Sequence, residues 1–310
     1  MLQILVLGSA AGGGLPQWNC NCPVCQRARS GDPKVRPRTQ SSLAVRADEG
    51  PWFLLNTSPD LRQQLNDNPA LHPAKGARHS PIGGVVVTNA DIDHVAGLLT
   101  LREGQPLSLY ATARVHTTFD ANQIFKALNP EVVSRKKFVL DVPTPLETAD
   151  GTPSGLVVEA FTVPGKVALY LEDPTAGPGF GSVAEDTIAL RVASERGDSY
   201  FYYIPGCAAL PDALAQRLRE ALLVLFDGTL WQDDEMITTG TGVKTGKRMG
   251  HMSISGQEGS LAAFEGLGVK RKIFVHLNNT NPVLMEDSKE RRVVMKAGWE
   301  VAHDGMEITL

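Results

Sequence analysis

Three short apolar segments of the chain each lead directly into residues that can bind a metal ion. In the stretch GVVVTNADIDHVAGLL (84–99), Asp93 and His94 follow the apolar run; Asp227 follows LLVLF, and His276 follows KIFV. Short runs of β-branched and other apolar residues that end at Gly, Asp or Asn are typical of β-strands. Because ligands bind where the carboxyl ends of neighbouring strands meet, we expect these four side chains to line one cleft.

A simpler interpretation exists for the first of these clusters, in which Asp91 or Asp93 only caps the helix that follows. For a single strand end, that interpretation is the stronger one. The recurrence of such residues after three separate strands favours a metal site instead. Two histidines and two carboxylates suit Zn²⁺, Fe²⁺ or Mn²⁺.

The composition excludes several classes of protein. Of 310 residues, 42% are hydrophobic and 21% are charged, as in ordinary globular domains. The net charge of −4 provides no basic field for binding nucleic acid. No apolar run reaches the ~18 residues of a membrane span, and the apolar start lacks the basic residues of a signal peptide. We therefore expect a cytoplasmic protein whose oligomeric state the sequence leaves open, a homodimer included.

The order of elements predicts the fold class. Strands come first and are then mixed with helices, and this order occurs twice along the chain. The order predicts an α/β (α+β) protein with two mixed β-sheets and helices outside them, an αβ/βα sandwich, as one domain over 1–310. We expect strands at 137–140 and 167–171, a helix within 256–267, and an insertion loop at 172–186, which is rich in Gly and Pro.

A separate cluster of cysteines lies near the amino terminus. The sequence NCNCPVC contains Cys20, Cys22 and Cys25, three of the four cysteines of the chain. In a cytosolic protein, clustered cysteines indicate metal binding more often than disulfides. Three thiolates at this spacing suit a tetrahedral zinc that needs one more partner. We expect a Cys-rich zinc-binding segment at 18–30, the alternative being incidental buried thiols.

These motifs resemble those of the metallo-β-lactamase superfamily. There, a strand ends in T-H-x-H-x-D-H before a helix rich in small residues, and VVVTNADIDHVAGLL is similar to that signature. The resemblance implies a four-layer αβ/βα sandwich, with Asp227 as the metal-bridging carboxylate and His276 as the last metal histidine. GHMSI (250–254), GSAAGGG (8–14) and NCNCPVCQRAR resemble the tRNA-processing and phosphodiesterase branches, whose three cysteines hold a structural zinc. The fourth ligand of that zinc is a His at the position of Asn279 here, so this partner is open.

The sequence departs from that superfamily at one of its two metal sites. Asn89 and Asp91 occupy the two H-x-H positions, and Pro164 and Gly165 occupy the place of the third histidine. The ligands of the other site, Asp93, His94, Asp227 and His276, are all present. We therefore predict one active-site divalent metal. A mononuclear centre of two His and a carboxylate favours Fe(II) and O₂ over the two-metal hydrolysis of the superfamily.

From end to end the chain is similar to a family that acts in synthesis of the coenzyme pyrroloquinoline quinone (PQQ). The resemblance implies a pathway that starts from a crosslinked Glu–Tyr peptide, whose tyrosine ring gains oxygen atoms. It implies an iron- and O₂-dependent hydroxylase of that ring, with the precursor as substrate and other pathway proteins as partners. The alternatives are a carrier of PQQ or its precursor toward the periplasm, and a mono-zinc hydrolase that uses Asp91 or His251 as base.

The loop TTGTGVKTGKRMGHMS supplies the remaining candidate residues. His251 is interpreted either as an acid or base beside the metal or as a surface histidine. Lys244, Lys247 and Arg248 precede it, and such a run is usually a solvated face. Because the implied substrate carries carboxylates, we also predict that these three cations, together with Asp91, bind the substrate.

Overall fold

The computed structural model describes residues 1–177 and 179–310. Within these residues, fourteen strands form two seven-stranded sheets. The strands are β1 (Leu2–Gly8), β2 (Ser42–Ala47), β3 (Trp52–Leu55), β4 (Ile82–Val86), β5 (Leu107–Ala111), β6 (Val133–Lys137), β7 (Thr144–Glu147), β8 (Pro153–Thr162), β9 (Ile188–Ser194), β10 (Tyr200–Ile204), β11 (Leu223–Asp227), β12 (Arg271–Val275), β13 (Trp299–Val301) and β14 (Glu307–Thr309). The α-helices are α1 (Pro23–Arg29), α2 (Leu61–Asp67), α3 (Ile92–Val95), α4 (Ala113–Ala121), α5 (Asp212–Leu218), α6 (Glu235–Thr238), α7 (Gly246–Met249), α8 (Ser260–Ala263) and α9 (Lys289–Lys296).

Both sheets are mixed, and their parallel parts carry the residues of interest. The first sheet has the order β14-β1-β2-β3-β4-β5-β6, in which β3 to β6 are parallel and the other pairs antiparallel. The second has the order β13-β12-β11-β10-β9-β8-β7, in which β10 to β13 are parallel. The predicted pair of mixed sheets is confirmed.

Alternation of side chains along the strands creates the layers. Val86 of β4 belongs to an apolar cluster between the two sheets, which also contains Phe53 and Tyr203. Its neighbours Val85 and Val87 belong to the cluster on the outer face of the first sheet. A strand that is covered on both faces is apolar throughout, which explains the unbroken valine run. A third cluster covers the outer face of the second sheet, so the four-layer sandwich is confirmed.

Two predicted elements differ from the structure, each for a local reason. The strand expected at 167–171 is a loop with a 3₁₀ turn at Leu169–Leu171, because Ser182 Oγ accepts from Val167 N–H and Asp91 accepts from Leu169 N–H. The helix expected within 256–267 is limited to α8, which begins only after Gly256 with its φ of 90°.

Two further predictions concern 137–140 and the loop at 172–186. The strand expected at 137–140 is displaced to β6, and Val139 is exposed. The described part of the expected loop contains turns, and Pro178 within it lies outside the described residues. None of the helices in residues 1–177 and 179–310 combines the length and the apolar character needed to cross a membrane.

Candidate metal centre

The loop after β4 places Asp93 and His94 in the first turn of α3. Thr88 N–H donates to Asn56 Oδ1 at 2.9 Å, and Asn56 Nδ2 donates to Thr88 Oγ1 at 2.9 Å. The carbonyl oxygen of His94 accepts from Thr57 N–H at 2.8 Å. These bonds hold the loop and α3 against the end of β3. Asp91 occupies the N-cap position of α3 but makes no side-chain cap bond, unlike the simple capping interpretation.

The parallel strands β11 and β12 bring Asp227 and His276 to the same edge of the second sheet. Asp227 is the last residue of β11 and pairs with Val275, and His276 follows directly. His276 has a φ of 57°, in the left-handed region that a non-glycine residue rarely adopts. Such backbone strain is concentrated at functional sites, where surrounding contacts maintain it.

Asp93, His94 and His276 form one compact set of donors, which we call the trio. One ligand atom from each lies within 4.8 Å of the others. Asp93 Oδ2 is 3.1 Å from His276 Nε2 and 3.9 Å from His94 Nε2. His94 Nε2 is buried and has no hydrogen-bond partner among the described residues. A buried imidazole nitrogen normally has a partner, so two nitrogens and one carboxylate at this spacing fit a single divalent metal ion.

The protonation states of Asp93 and His94 suit metal binding. Burial would raise the pKa of Asp93, but His94 and His276 together bring it well below its ordinary value. Burial lowers the pKa of His94. Burial alone would lower the pKa of His276, but its hydrogen bond to Asp93 and the negative charges of nearby aspartates together raise it, so a metal ion competes with a proton for this ring. At neutral pH, Asp93 is therefore an anion and His94 is uncharged, and these are the forms that bind metals.

Asp227 lies outside the trio and belongs to a second group with His251 and His276. Its Oδ2 accepts from His251 Nδ1 at 2.7 Å and from Cys207 N–H at 2.9 Å. Its Oδ1 accepts from Thr229 Oγ1 at 2.6 Å and from Thr229 N–H at 3.0 Å. Protein donors thus occupy both oxygens of Asp227. The structure divides the predicted four-ligand set into the trio and a carboxylate that faces His251.

The positions where the superfamily has its other metal have structural roles here. Asn89 Oδ1 accepts from Asp91 N–H at 3.0 Å, and Asp91 Oδ1 accepts from Leu169 N–H at 3.2 Å. A Cβ atom on Gly165 would lie 2.7 Å from Thr187 Cβ, closer than real Cβ contacts allow. A histidine at Gly165 would therefore require the chain to move. The number of metal ions in the centre stays a prediction.

A cavity of about 370 Å³ opens onto the trio. Asp91, Lys244 and His251 line it, as the sequence predicts for residues near the substrate. The structure does not bring Lys247 or Arg248 to this cavity. The cavity is also lined by Ala11, Gly12, Gln17, Asn89, Asp93, His94, Lys166, Leu169, Gly206, Thr229, Met236, Met249, His276 and Asn278.

Lys247 and Arg248 are engaged elsewhere, which corrects their predicted place. Lys247 is exposed and pairs with Glu258. Arg248 binds both carboxylate oxygens of Glu172 at 3.0 and 2.8 Å, and its guanidinium lies 3.6 Å from the centre of the Phe180 ring. A run of basic residues in the sequence does not reveal which of them will form ion pairs with acidic residues elsewhere in the chain.

Several cavity residues were missed at the level of sequence. Lys166 lines the cavity and lies 3.1 Å from Glu172 Oε1. Thr229 lies two residues after Asp227, a position from which a hydroxyl can reach the carboxylate, and this spacing is the one signal that could have identified it. Gln17 and Asn278 have no comparable signal in the sequence.

Comparisons with known proteins identify the family. A family model for the beta-lactamase superfamily domain matches residues 51–277. Coenzyme PQQ synthesis protein B of Gluconacetobacter diazotrophicus is 52% identical over 309 residues, covering 100% of both chains. The chain belongs to the coenzyme PQQ synthesis protein B family. The solved structure of Zn²⁺-bound PqqB from Methylobacterium extorquens has a TM-score of 0.93 at 49% identity, covering 99% of this chain and 100% of that one.

The resemblance recognised in the sequence is thereby confirmed. A diphosphatase of the PhnP family has a TM-score of 0.67 at 21% identity, covering 99% of this chain and 96% of its own. At that identity the likeness concerns the fold alone. The PqqB family therefore shares the sandwich of the superfamily, and the residues of the centre have to be judged from this chain.

In this member of the PqqB family, the cysteine cluster forms a third group of donors. One sulfur atom from each of Cys20, Cys22 and Cys25 lies within 4.8 Å of the others. Asn279 Nδ2 is 3.3 Å from Cys25 Sγ and 3.8 Å from Cys22 Sγ. Burial raises the pKa of Cys22 to about 12, so a cation is needed to hold it as a thiolate. Cys207 lies elsewhere and donates to Ala209 O at 3.0 Å.

A four-residue segment, His276–Asn279, joins the trio to the cysteine cluster. His276 belongs to the trio, and Asn279 contacts the cysteine sulfurs. Between them, Leu277 N–H donates to Ser9 O at 3.0 Å and Asn278 N–H donates to Thr229 O at 3.0 Å. Asn279 is thus placed where the sequence resemblance expected a fourth partner, but the atom it directs to the thiols is a hydrogen-bond donor.

Proposed function

We propose that this protein acts in PQQ biosynthesis as a mononuclear, iron- and O₂-dependent hydroxylase of the tyrosine ring of the crosslinked Glu–Tyr precursor. The observation that carries the proposal is the trio, two histidines and one carboxylate that line a cavity, in which His94 Nε2 has no hydrogen-bond partner among the described residues. The names of the relatives support the pathway, since they are PQQ synthesis proteins. The structural roles of Asn89 and Gly165 support a single metal.

Fe(II) held by two His and one carboxylate, with positions left open, supplies O₂ activation. Hydroxylation replaces a ring C–H bond by C–OH. One oxygen atom of O₂ enters the product and the other leaves as water, which takes two electrons from an external reductant and two protons. In this scheme Asp93, His94 and His276 hold the metal, and the protein must exchange protons beside it.

His251 is our candidate for that exchange. Its Nδ1 is held by Asp227 Oδ2 at 2.7 Å, and its ring stacks on that of His276 with the centroids 5.2 Å apart. An imidazole whose Nδ1 is fixed by a carboxylate has Nε2 left to accept or donate a proton. His251 lines the cavity, so a substrate there is within reach of its ring.

Lys244 is our candidate for recognising the substrate. It lines the cavity, and among residues 1–177 and 179–310 no carboxylate lies within 4.0 Å of its ammonium group. Lys166, the other cavity lysine, is already paired with Glu172. The cavity of about 370 Å³ has the size of a small-molecule site. We propose that Lys244 binds a carboxylate of the precursor, and that Asp91 contacts its amino groups.

A mono-zinc hydrolase is the second candidate, and one observation favours it. The solved PqqB relative from Methylobacterium extorquens holds Zn²⁺. In that role the trio would bind zinc, and Asp91 or His251 would activate water. A carrier of PQQ or its precursor would use the same cavity without turnover.

The test is to load anaerobically purified protein with either Fe²⁺ or Zn²⁺ and to supply the precursor, O₂ and ascorbate. We expect O₂ uptake and a product heavier by one oxygen atom in the iron-loaded protein, and neither in the zinc-loaded protein. His94→Gln should abolish both, and His72→Gln, which alters an exposed loop histidine, should not. Cleavage without O₂ uptake in the zinc form would support the hydrolase. Tight precursor binding without turnover in either form would overturn both enzymatic candidates.

A further inference from the structure

We infer that Thr229 is a positioning residue that sets the tautomer and the orientation of His276, and thereby determines which nitrogen of His276 faces the trio. The inference rests on the proposed metal centre and is independent of the chemistry performed there. It gives Asp227 a role as well, because the carboxylate acts on His276 through the Thr229 hydroxyl.

The Thr229 hydroxyl lies at the junction of three functional side chains. Thr229 is buried, with 4% of its surface exposed. Its Oγ1 lies 2.6 Å from Asp227 Oδ1, 2.9 Å from His276 Nδ1 and 3.1 Å from His251 Nδ1. It also lies 3.0 Å from the carbonyl oxygen of His276.

The position of the single hydroxyl proton follows from these distances. A threonine hydroxyl has one hydrogen to donate and can accept two hydrogen bonds. The 2.6 Å contact with Asp227 has the length of a charge-assisted O–H···O⁻ bond. Without the proton between them, two oxygen atoms with lone pairs would face each other at that distance. The hydroxyl therefore donates to Asp227 Oδ1.

His276 Nδ1 must then carry a hydrogen. With its proton directed to Asp227, Thr229 Oγ1 can only accept from the ring nitrogen 2.9 Å away. Donation to the His276 carbonyl oxygen at 3.0 Å would leave the same requirement, because the hydroxyl proton would again point away from the ring. In the neutral imidazole, a proton on Nδ1 places the free lone pair on Nε2. Nε2 is the nitrogen near Asp93, at 3.1 Å from Oδ2.

Thr229 is itself held firmly enough to orient a ring. Its carbonyl oxygen accepts from Asn278 N–H at 3.0 Å and from Asn281 Nδ2 at 3.3 Å. Its backbone N–H donates to Asp227 Oδ1 at 3.0 Å. A chain from carboxylate to hydroxyl to imidazole fixes the ring and increases the basicity of the ligating nitrogen.

The first experiment compares Thr229→Val, which removes the hydroxyl at nearly constant shape, with Thr229→Ser, which keeps it. After the cysteine cluster has been filled, the affinity for a further equivalent of Zn²⁺ is measured by competition with a chelator. We expect Thr229→Val to weaken zinc binding by ~10–100-fold and Thr229→Ser to restore most of the affinity. Thr118→Val removes a buried hydroxyl that bonds Arg114 O in α4 and should leave zinc binding unchanged.

The second experiment needs no variant, so it decides the matter even if Thr229→Val fails to fold. ¹⁵N NMR of the zinc-loaded protein reports which ring nitrogen of His276 carries hydrogen. We expect hydrogen on Nδ1 and metal at Nε2. The reverse tautomer, or unchanged zinc affinity in a folded Thr229→Val protein, would overturn the inference. Neither readout requires turnover. If the expected tautomer is found but the protein does not hydroxylate the precursor, the proposed reaction is overturned and the inference about Thr229 stands.

Discussion

Glu235 is a buried carboxyl group that we expect to make stability depend on pH. It begins α6 with 6% of its surface exposed. Burial raises its pKa to about 7, against the opposing effect of bonds from Thr280 Oγ1 and Trp231 N–H, the latter 2.6 Å long. Replacement by Gln removes the charge and keeps both bonds, because the amide oxygen can accept from Trp231 N–H and the amide nitrogen can donate to Thr280.

The magnitude follows from the difference in proton binding. The folded protein holds a proton on Glu235 up to about pH 7, whereas the ordinary value is 4.5. Between these values the folded state binds more protons, so the free energy of unfolding falls as the pH rises. The whole interval corresponds to about 3 kcal/mol. Glu235→Gln lacks this loss, so its advantage should grow from near zero at about pH 4.5 to about 3 kcal/mol at about pH 7 and then stay constant.

Urea unfolding of both proteins across this pH range, followed by tryptophan fluorescence, measures the difference. Glu172→Gln is a matched control of opposite sign, because Arg248 and Lys166 lower the pKa of Glu172 to about 2. That group is ionised throughout, so the control should be less stable by an amount that does not change between about pH 5 and 8. A pH-independent difference between wild type and Glu235→Gln, or a Gln variant less stable at about pH 8, would refute the reasoning.

Three further predictions concern the centre and the cavity. Asp93→Ala and His276→Ala should each lose the metal of the trio and retain zinc at the cysteine cluster, as elemental analysis of dialysed protein would reveal; loss of both metals, or of neither, would contradict the division into two sites. Lys244→Gln should raise KM for the precursor by about 10-fold, and the exposed Lys247→Gln should change it little; equal effects would place substrate recognition elsewhere. Gly165→Ala should lower the free energy of unfolding by ~1–3 kcal/mol in urea titrations, because its Cβ would meet Thr187; an unchanged midpoint would refute the steric argument.

The fold and the trio could be predicted because both depend on local patterns. Val85 to Val87 form a continuous apolar run since β4 is covered on both faces, and a polar residue must end such a strand. Asp93 and His94 follow β4 of the first sheet, and His276 follows β12 of the second, so each is marked by the same local pattern, an apolar strand that leads into a residue able to bind metal. The meeting of these strand ends across the two sheets is a property of the sandwich as a whole.

The partners of the other charged residues could not be predicted, because they depend on long-range packing. Arg248 meets Glu172, which lies 76 residues away in the sequence. Asp227 is turned to His251 by the backbone N–H of Cys207, and no side-chain pattern encodes that donor. The hydrogen bonds that keep 167–171 from forming a strand come from the side chains of Asp91 and Ser182. The hydrophobic pattern of 167–171 contains no information about these two acceptors.

The segment from His276 to Asn279 is a physical connection through which metal binding at the trio and metal binding at the cysteine cluster can influence each other. Three peptide bonds separate a residue of the trio from the amide that touches Cys25, and the bonds of Leu277 and Asn278 leave that stretch little freedom. A cation that shifts this segment from one end therefore shifts the residue that the segment supplies to the other group. We predict that binding at one group changes the affinity at the other, and because such coupling is reciprocal, the factor is the same in both directions. Removal of a cation from the cysteine cluster would then change the affinity of the trio for its own metal ion, although no cysteine belongs to the trio.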